Sequence, residues 1–214
     1  MVGDKVKNIA VFASGNGSNF QAIAEAVKKG KLKVNLKLLI CDDPGAFVLK
    51  RAKKFKVDTF IVNPGDYLSK KGLEDEIIKK LKAQKIGLVV LAGFMRILSP
   101  DFVKRFKFRI LNIHPALLPS FKGARAIRDA FDYGVKLTGV TVHFVDEKTD
   151  HGPIILQAAV KVNQQDSRMS LERKLHLLEH KIYPEAIRLF VENRLSVKGR
   201  KVKVSFPTPR PAKE

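Results

Sequence analysis

Apolar positions along the chain fall into short runs separated by stretches of helical periodicity. Residues 7–13 form an apolar run that leads into Ser14-Gly15-Asn16-Gly17-Ser18-Asn19, after which Phe20, Ile23, Ala24 and Val27 recur at helical spacing. This predicts a strand, a loop and a helix. The rhythm continues with a strand over 34–40, a helix over 46–55, a strand over 58–62, a helix over 67–83 and a strand over 88–91. Strands alternating with helices of about ten or more residues imply parallel crossovers and a sheet covered on both faces. A helix opens at Ser99-Pro100-Asp101, a strand follows over 109–113, and the segment from Ser120 opens a helix that runs through Ala130 and Phe131. Over 137–145, Val140, Val142 and Phe144 lie on one side of a strand and Thr141, His143 and Val145 on the other. The next strand, 154–162, is read as antiparallel or at an edge. Leu171, Leu175, Leu178, Ile182, Ala186 and Leu189 mark an amphipathic helix with Ser170 as its cap. The fold class is therefore α/β, a single domain over residues 1–195. A basic tail follows over 196–214, in which Val202, Val204 and Phe206 alternate as a small edge strand before a frayed end.

Two polar side chains interrupt the apolar run that ends the strand over 109–113. Leu111 and Ile113 alternate with Asn112 and His114, so the amide and the imidazole project from one face, about 7 Å apart along the strand. Pro115 and Pro119 stop the strand immediately afterwards. Acyl-type transfer needs a donor to a developing oxyanion and a group that passes a proton, and this pair supplies both. A hydrogen-bonded pair in a core strand fits the same triplet. The polar loop from Asp146 to Pro153 is placed to return a carboxylate, which makes Asn112, His114 and Asp150 the candidate catalytic set, with an ionised Asp150 expected to orient the imidazole and raise it above its free value near 6.5. His143, in mid-strand, reads as a structural group or a support to that set.

Two loops bear on ligands. Glycines in 14–19 let backbone N–H groups crowd toward an anion at a helix N-terminus, so a phosphate site and a plain tight turn both fit. Asn19 stands where a dinucleotide fingerprint has its third glycine, and no Lys-Ser/Thr pair follows as in a P-loop. Ala92 to Leu98 extend the apolarity of the preceding strand into a loop that either lines a pocket or packs under a helix. Asp42 and Asp43 read as turn formers.

Charge changes the picture less than its size suggests. The formal net charge is +20, and a pI near 10 commonly marks nucleic-acid partners. Here the lysines fall in pairs on expected helix surfaces: Lys28 and Lys29, Lys53 and Lys54, Lys70 and Lys71, Lys79 and Lys80. A basic field of this kind also raises the encounter rate of small anionic substrates. The single cysteine, Cys41, excludes an internal disulfide and reads as a buried small hydrophobe, and no Cys/His cluster has zinc-site spacing. The charged start (Asp4, Lys5, Lys7) lacks a signal-peptide core and no apolar run approaches membrane length, so a cytoplasmic protein is expected.

Four separated segments, Asn112 to Pro119, Leu91 to Leu98, Ser14 to Asn19 and Asp150 to Pro153, resemble the glycinamide ribonucleotide (GAR) transformylase family of folate-dependent formyltransferases. They stand in that family's order, and the resemblance covers residues 7–195. It implies a Rossmann-like formyltransferase fold, with 10-formyltetrahydrofolate as formyl donor, the glycyl amine of 5'-phosphoribosylglycinamide as acceptor, and no metal. By the same resemblance Gly17, Ser18 and Asn19 hold the ribonucleotide phosphate. His176 and Glu179, three apart on one helix face, meet its ribose and amine end, although an ordinary surface pair fits that spacing too. Met95, Arg96, Ile97 and Leu98 line the pterin pocket, with Asp146, Glu147, Lys148, Thr149 and Asp150 beside it. Lys70 or Lys71 meets the folate carboxylates. The sequence departs from the family at Lys122 and Arg125, where a Pro-Gly followed two residues on by a histidine is the common pattern.

Three rivals remain. A methionyl-tRNA formyltransferase carries a C-terminal RNA-binding barrel, for which the 19 residues after Leu195 are too few. A formyltetrahydrofolate hydrolase usually carries an N-terminal regulatory domain, which the six residues before the first strand do not provide. A basic nucleic-acid-binding module accounts for the charge but not for the Asn-His-Asp set. The expectation is small-molecule substrates, no nucleic acid and no membrane, with a homodimer left open.

Overall fold

The computed structural model describes residues 7–205. The charged positions Asp4 and Lys5, the alternation at Phe206 and the frayed end lie outside them. Among the described residues, nine strands form one sheet in the order β3-β2-β1-β4-β5-β6-β7-β9-β8. Strands β1 (Asn8–Phe12), β2 (Asn35–Cys41), β3 (Asp58–Ile61), β4 (Leu88–Leu91) and β5 (Ile110–His114) are parallel to one another. β6 (Leu137–Phe144) and β7 (Ile154–Lys161) continue the sheet antiparallel. The result is a mostly parallel mixed sheet with helices on both faces.

Alternation within the parallel strands feeds two cores. Ile9, Val11, Leu39, Cys41, Leu88 and Val90 face α1 (Ser18–Lys28), α2 (Val48–Phe55) and α6 (Arg168–Val191). Ala10, Phe12, Leu38, Ile40, Val89 and Leu91 face α3 (Lys70–Ala83) and α4 (Pro100–Arg105). Strands buried on both sides read as continuous apolar runs because neither face meets water. Cys41 lies in the first core, and burial pushes its thiol up.

Several boundaries differ from the sequence reading. α2, α4 and α5 (Ala126–Tyr133) have eight, six and eight residues, shorter than the expected crossovers. The third helix starts at Lys70, capped by Ser69, after a separate 3-10 turn over Pro64–Asp66. Ser167, and not Ser170, caps α6: its side chain accepts the Ser170 N–H at 3.1 Å, while the Ser170 hydroxyl donates to Asp166 at 2.7 Å. α5 opens at Ala126, because the segment from Ser120 to Arg125 turns instead of coiling. β7 is antiparallel as read but is not an edge. The expected small strand is a hairpin of β8 (Leu195–Lys198) and β9 (Lys201–Val204), and β9 meets β7 in parallel at Ile154 and Lys201.

Much of the basic excess has a structural place. Lys28, Lys53, Lys54, Lys80, Lys82, Lys104, Arg105 and Arg188 occupy the last turns of their helices, where cations offset the negative end of the helix dipole. Among the described residues, no helix is long and apolar enough to cross a membrane.

Candidate active site

The chain leaves β1 toward α1 on one face of the sheet and leaves β4 toward α4 on the other, which opens a crevice between neighbouring parallel strands. Open α/β sheets place ligands at such switch points. The loops on its two sides are tied together: the Ser14 N–H donates to the Gly93 carbonyl at 3.0 Å, and the Met95 N–H donates to Ser14 Oγ at 2.9 Å.

On the α1 side, Gly17 adopts φ 76° as the residue preceding the helix and brings no capping side chain. A Cβ there would lie 2.3 Å from Val48 Cγ2, so only glycine brings this turn so close to α2. Arg51 braces the loop, donating from Nε to the Asn16 carbonyl and from Nη2 to Asn16 Oδ1, each at 2.8 Å. The first amides of α1 are thereby aimed outward at a helix N-terminus. Asn19 Nδ2 donates to Glu179 Oε2 at 2.9 Å, and the same oxygen lies 2.9 Å from His176 Nδ1. Residues from α1 and α6 that are far apart in sequence thus meet. The Glu179 hydrogen bond holds His176 above its ordinary value.

β5 carries Asn112 and His114 to the mouth of the crevice, with Asn112 directly opposite His143 on β6. His114 Nδ1 lies 3.3 Å from Asp150 Oδ2, an oxygen that also accepts the Gly123 N–H at 2.8 Å. Asn112 Nδ2 donates to Asp150 Oδ1 at 3.3 Å and lies 3.1 Å from His143 Nε2. The carbonyls near the two imidazoles assign their protons, because a carbonyl only accepts. His143 Nδ1 donates to the Phe144 carbonyl at 2.7 Å, which leaves Nε2 to accept from Asn112. His114 Nε2 donates to the Phe121 carbonyl at 2.7 Å, so Nδ1, beside Asp150, is where a further proton arrives.

Burial decides the charge on that ring. The sequence reading expects Asp150 to raise His114 above the free value. The structure corrects this: burial, the larger effect, pulls His114 below the ordinary 6.5, and the Asp150 carboxylate and Phe121 carbonyl oppose it only in part. For Asp150, burial works upward, but the His143 and His114 rings, whenever they carry a proton toward it, and the Gly123 N–H hold the carboxyl below the usual range. The resting site therefore pairs a neutral imidazole with an ionised acid.

On the other side of the crevice, the loop after β4 divides its apolar residues. Phe94 and Leu98 pack on the second core, while Met95 and Ile97 are 69% and 68% exposed. Arg96 lies half-buried between them. The packed reading holds for Phe94 and Leu98, whereas Met95 and Ile97 turn outward. Glu74 of α3 accepts the Ser99 N–H at 2.8 Å and also binds the Ser99 hydroxyl, which fixes the end of the loop. Lys70 lies one turn before Glu74 on the same face of α3, whereas Lys71 is held by Asp75 at 2.6 Å. In the loop over 146–150, Glu147, Lys148 and Thr149 are exposed, Glu147 lies 3.8 Å from Lys104, and Asp146 accepts the Lys148 N–H at 3.0 Å. Lys122 and Arg125 are both exposed.

Sequence reasoning missed the backbone donor at Gly123 and the acceptor at Phe121, whose φ values of 93° and 50° curl the chain around the His-Asp pair. Gly123 was the available signal. It also missed Thr141, fully buried, which donates to the Ala116 carbonyl at 2.7 Å and accepts the Leu118 N–H at 3.1 Å, fixing the turn after β5.

Comparison with known proteins supplies the family. The chain is 43% identical over 183 residues to phosphoribosylglycinamide formyltransferase of Bacillus subtilis (strain 168), covering 86% of this chain and 94% of the relative. It is 40% identical to the Escherichia coli (strain K12) protein of the same name over 190 residues, 89% of this chain and 90% of that one. The crystal structure of glycinamide ribonucleotide transformylase 1 from Symbiobacterium toebii superposes with a TM-score of 0.91 at 43% identity, over 94% of each chain. The formyl transferase signature spans residues 7–187, and the chain belongs to the formyl transferase family.

Proposed function

We propose that this protein transfers the formyl group of 10-formyltetrahydrofolate to the glycyl amine of 5'-phosphoribosylglycinamide. The observation that carries the reading is the convergence of Asn112, His114 and Asp150 between a helix N-terminus suited to a phosphate and a loop that exposes Met95 and Ile97. On this reading the ribonucleotide phosphate sits on the α1 amides at Gly17, Ser18 and Asn19. His176 and Glu179 hold its ribose and amine end. The pterin packs on Met95 to Leu98 and beside the loop from Asp146 to Asp150. Lys70 serves the anionic tail of the folate, because it shares the Glu74 face and, unlike Lys71, is not drawn to Asp75.

The chemistry follows from the resting protonation. The neutral amine attacks the formyl carbon, a C–N bond forms, and the carbonyl electron pair moves onto oxygen. The Asn112 amide donates to that oxyanion, exchanging its longer bond, the 3.3 Å contact with Asp150. The attacking nitrogen's proton passes to His114, where Asp150 stabilises the imidazolium. It then goes to the folate nitrogen as the original C–N bond breaks. An imidazole that titrates below neutrality suits both the uptake and the return of a proton.

The test is an acceptor series with the full chain and 10-formyltetrahydrofolate: GAR, other ribosyl amines, and water alone. Rapid turnover with GAR and little with water supports a transferase. Equal turnover with water would identify a hydrolase, and salt-dependent oligonucleotide binding without turnover would favour the nucleic-acid module.

A further inference from the structure

The loop that carries Asp150 is held from outside the family-matched residues. Asp150 itself has φ 47°, in the left-handed region, and does not adopt it freely. Two residues on, Gly152 is pressed so closely against β6 that a Cβ would lie 1.8 Å from the Phe144 carbonyl oxygen. Between them, His151 closes the loop. Its Nδ1 lies 2.7 Å from Asp146 Oδ2, which ties the last part of the loop to its first residue. A carboxylate only accepts, so Nδ1 carries the proton and Nε2 is left as an acceptor.

Arg200, at the tip of the β8–β9 hairpin, completes this arrangement. Its Nη2 donates to the His151 carbonyl at 2.6 Å, and its Nη1 lies 3.1 Å from His151 Nε2. One guanidinium thus holds the backbone and the ring of the residue next to Asp150. Arg200 lies beyond residues 7–187, in the basic segment to which the proposed reaction assigns no task. The hairpin is brought there by the pairing of β9 with β7 at Ile154, just after the loop.

We propose that Arg200 is a positioning residue for formyl transfer: acting through His151, it fixes the backbone at Asp150 so that the carboxylate stays on His114 Nδ1 and the Gly123 N–H. The proposal rests on the assignment of Asp150 to the reacting centre. Arg200 touches no reacting atom, and its effect travels only through the loop. A fork-shaped guanidinium grips two acceptors in fixed directions, which a lysine does not.

The experiment compares Arg200→Ala and Arg200→Lys in the full chain, by steady-state kinetics and by amide hydrogen exchange over residues 147–152. Arg200→Ala is expected to lower kcat about tenfold through misplacement of Asp150. The KM for GAR should stay within about twofold, since the ribonucleotide contacts are elsewhere. Arg200→Lys should recover part of the loss, and exchange in the loop should quicken in the order wild type, lysine, alanine. In an Asp150→Asn background, Arg200→Ala should cost little more. Wild-type kcat in Arg200→Ala, unchanged loop exchange, or a full additional loss in the Asp150→Asn background would each overturn the proposal. If wild type fails to formylate GAR, the functional reading fails instead, and loop exchange still decides whether Arg200 holds the loop.

Discussion

Asp150 and His114 meet through Oδ2 and Nδ1 at 3.3 Å, with side chains only 9% and 5% exposed. The carboxylate is steered by a backbone N–H and an asparagine amide, so its direction toward the ring is set before any substrate arrives. Such preorganisation is what distinguishes a reacting set from a chance ion pair.

In the proposed mechanism Asn112 is the amide that receives the oxyanion. Asn112→Ala should lower kcat about a hundredfold or more, the usual cost of losing one such donor. The fold should remain intact. Steady-state turnover with GAR checks this, and wild-type turnover would remove Asn112 from the mechanism.

Gly17 is held at φ 76° against Val48. An alanine there incurs the left-handed cost of about 1–2 kcal/mol and also collides with Val48. Gly17→Ala should raise the KM for GAR about tenfold or more through displacement of the α1 amides, and leave the KM for the folate nearly unchanged. Equal effects on both substrates would contradict a phosphate role for this turn.

Tyr183 is fully buried in α6, and its hydroxyl donates toward the carbonyls of Leu91 and Leu111, at 2.7 and 3.1 Å. It fastens α6, with Glu179 one turn earlier, to the last residue of β4 and the second residue of β5. Tyr183→Phe leaves those carbonyls short of a donor and should cost about 1–3 kcal/mol in urea denaturation. An unchanged unfolding midpoint would contradict this role.

His176 gives a pH signature. Its folded value is raised by Glu179, so its stabilising effect is present in full below the unfolded value of 6.5 and is lost as pH rises through the folded value. The stability difference between wild type and His176→Gln should therefore shrink as pH is raised above 6.5. A difference that is constant or grows with pH would show that the pair does not form.

The parallel half of the fold was legible because its strands are apolar on both faces and its helices amphipathic. The boundaries that failed are those where short polar residues offer rival caps, as at Ser167 and Ser170, or where no capping side chain exists, as at Arg125 before α5. The meeting of Asn112 and His114 with Asp150 was legible as residue types on one strand face and one loop. The backbone partners were not, since every residue other than proline carries both an N–H and a C=O and only the fold selects Gly123 and Phe121. Nor was the direction of the His114 shift, because a sequence shows which charges exist but not how deeply the ring is buried. Lys70 and Lys71 are equivalent as letters, and only Glu74 and Asp75 separate them in space.

The most direct test of the central claim is the pH dependence of kcat/KM for GAR in wild type and in Asp150→Asn. A buried imidazole that must be neutral to accept the amine's proton predicts an acid limb below pH 6.5 in wild type. Asp150 raises the His114 value, so Asp150→Asn should move that limb further down while lowering the plateau by about a hundredfold or more. A limb that moves upward, or a plateau that survives the loss of the carboxylate, would contradict the account.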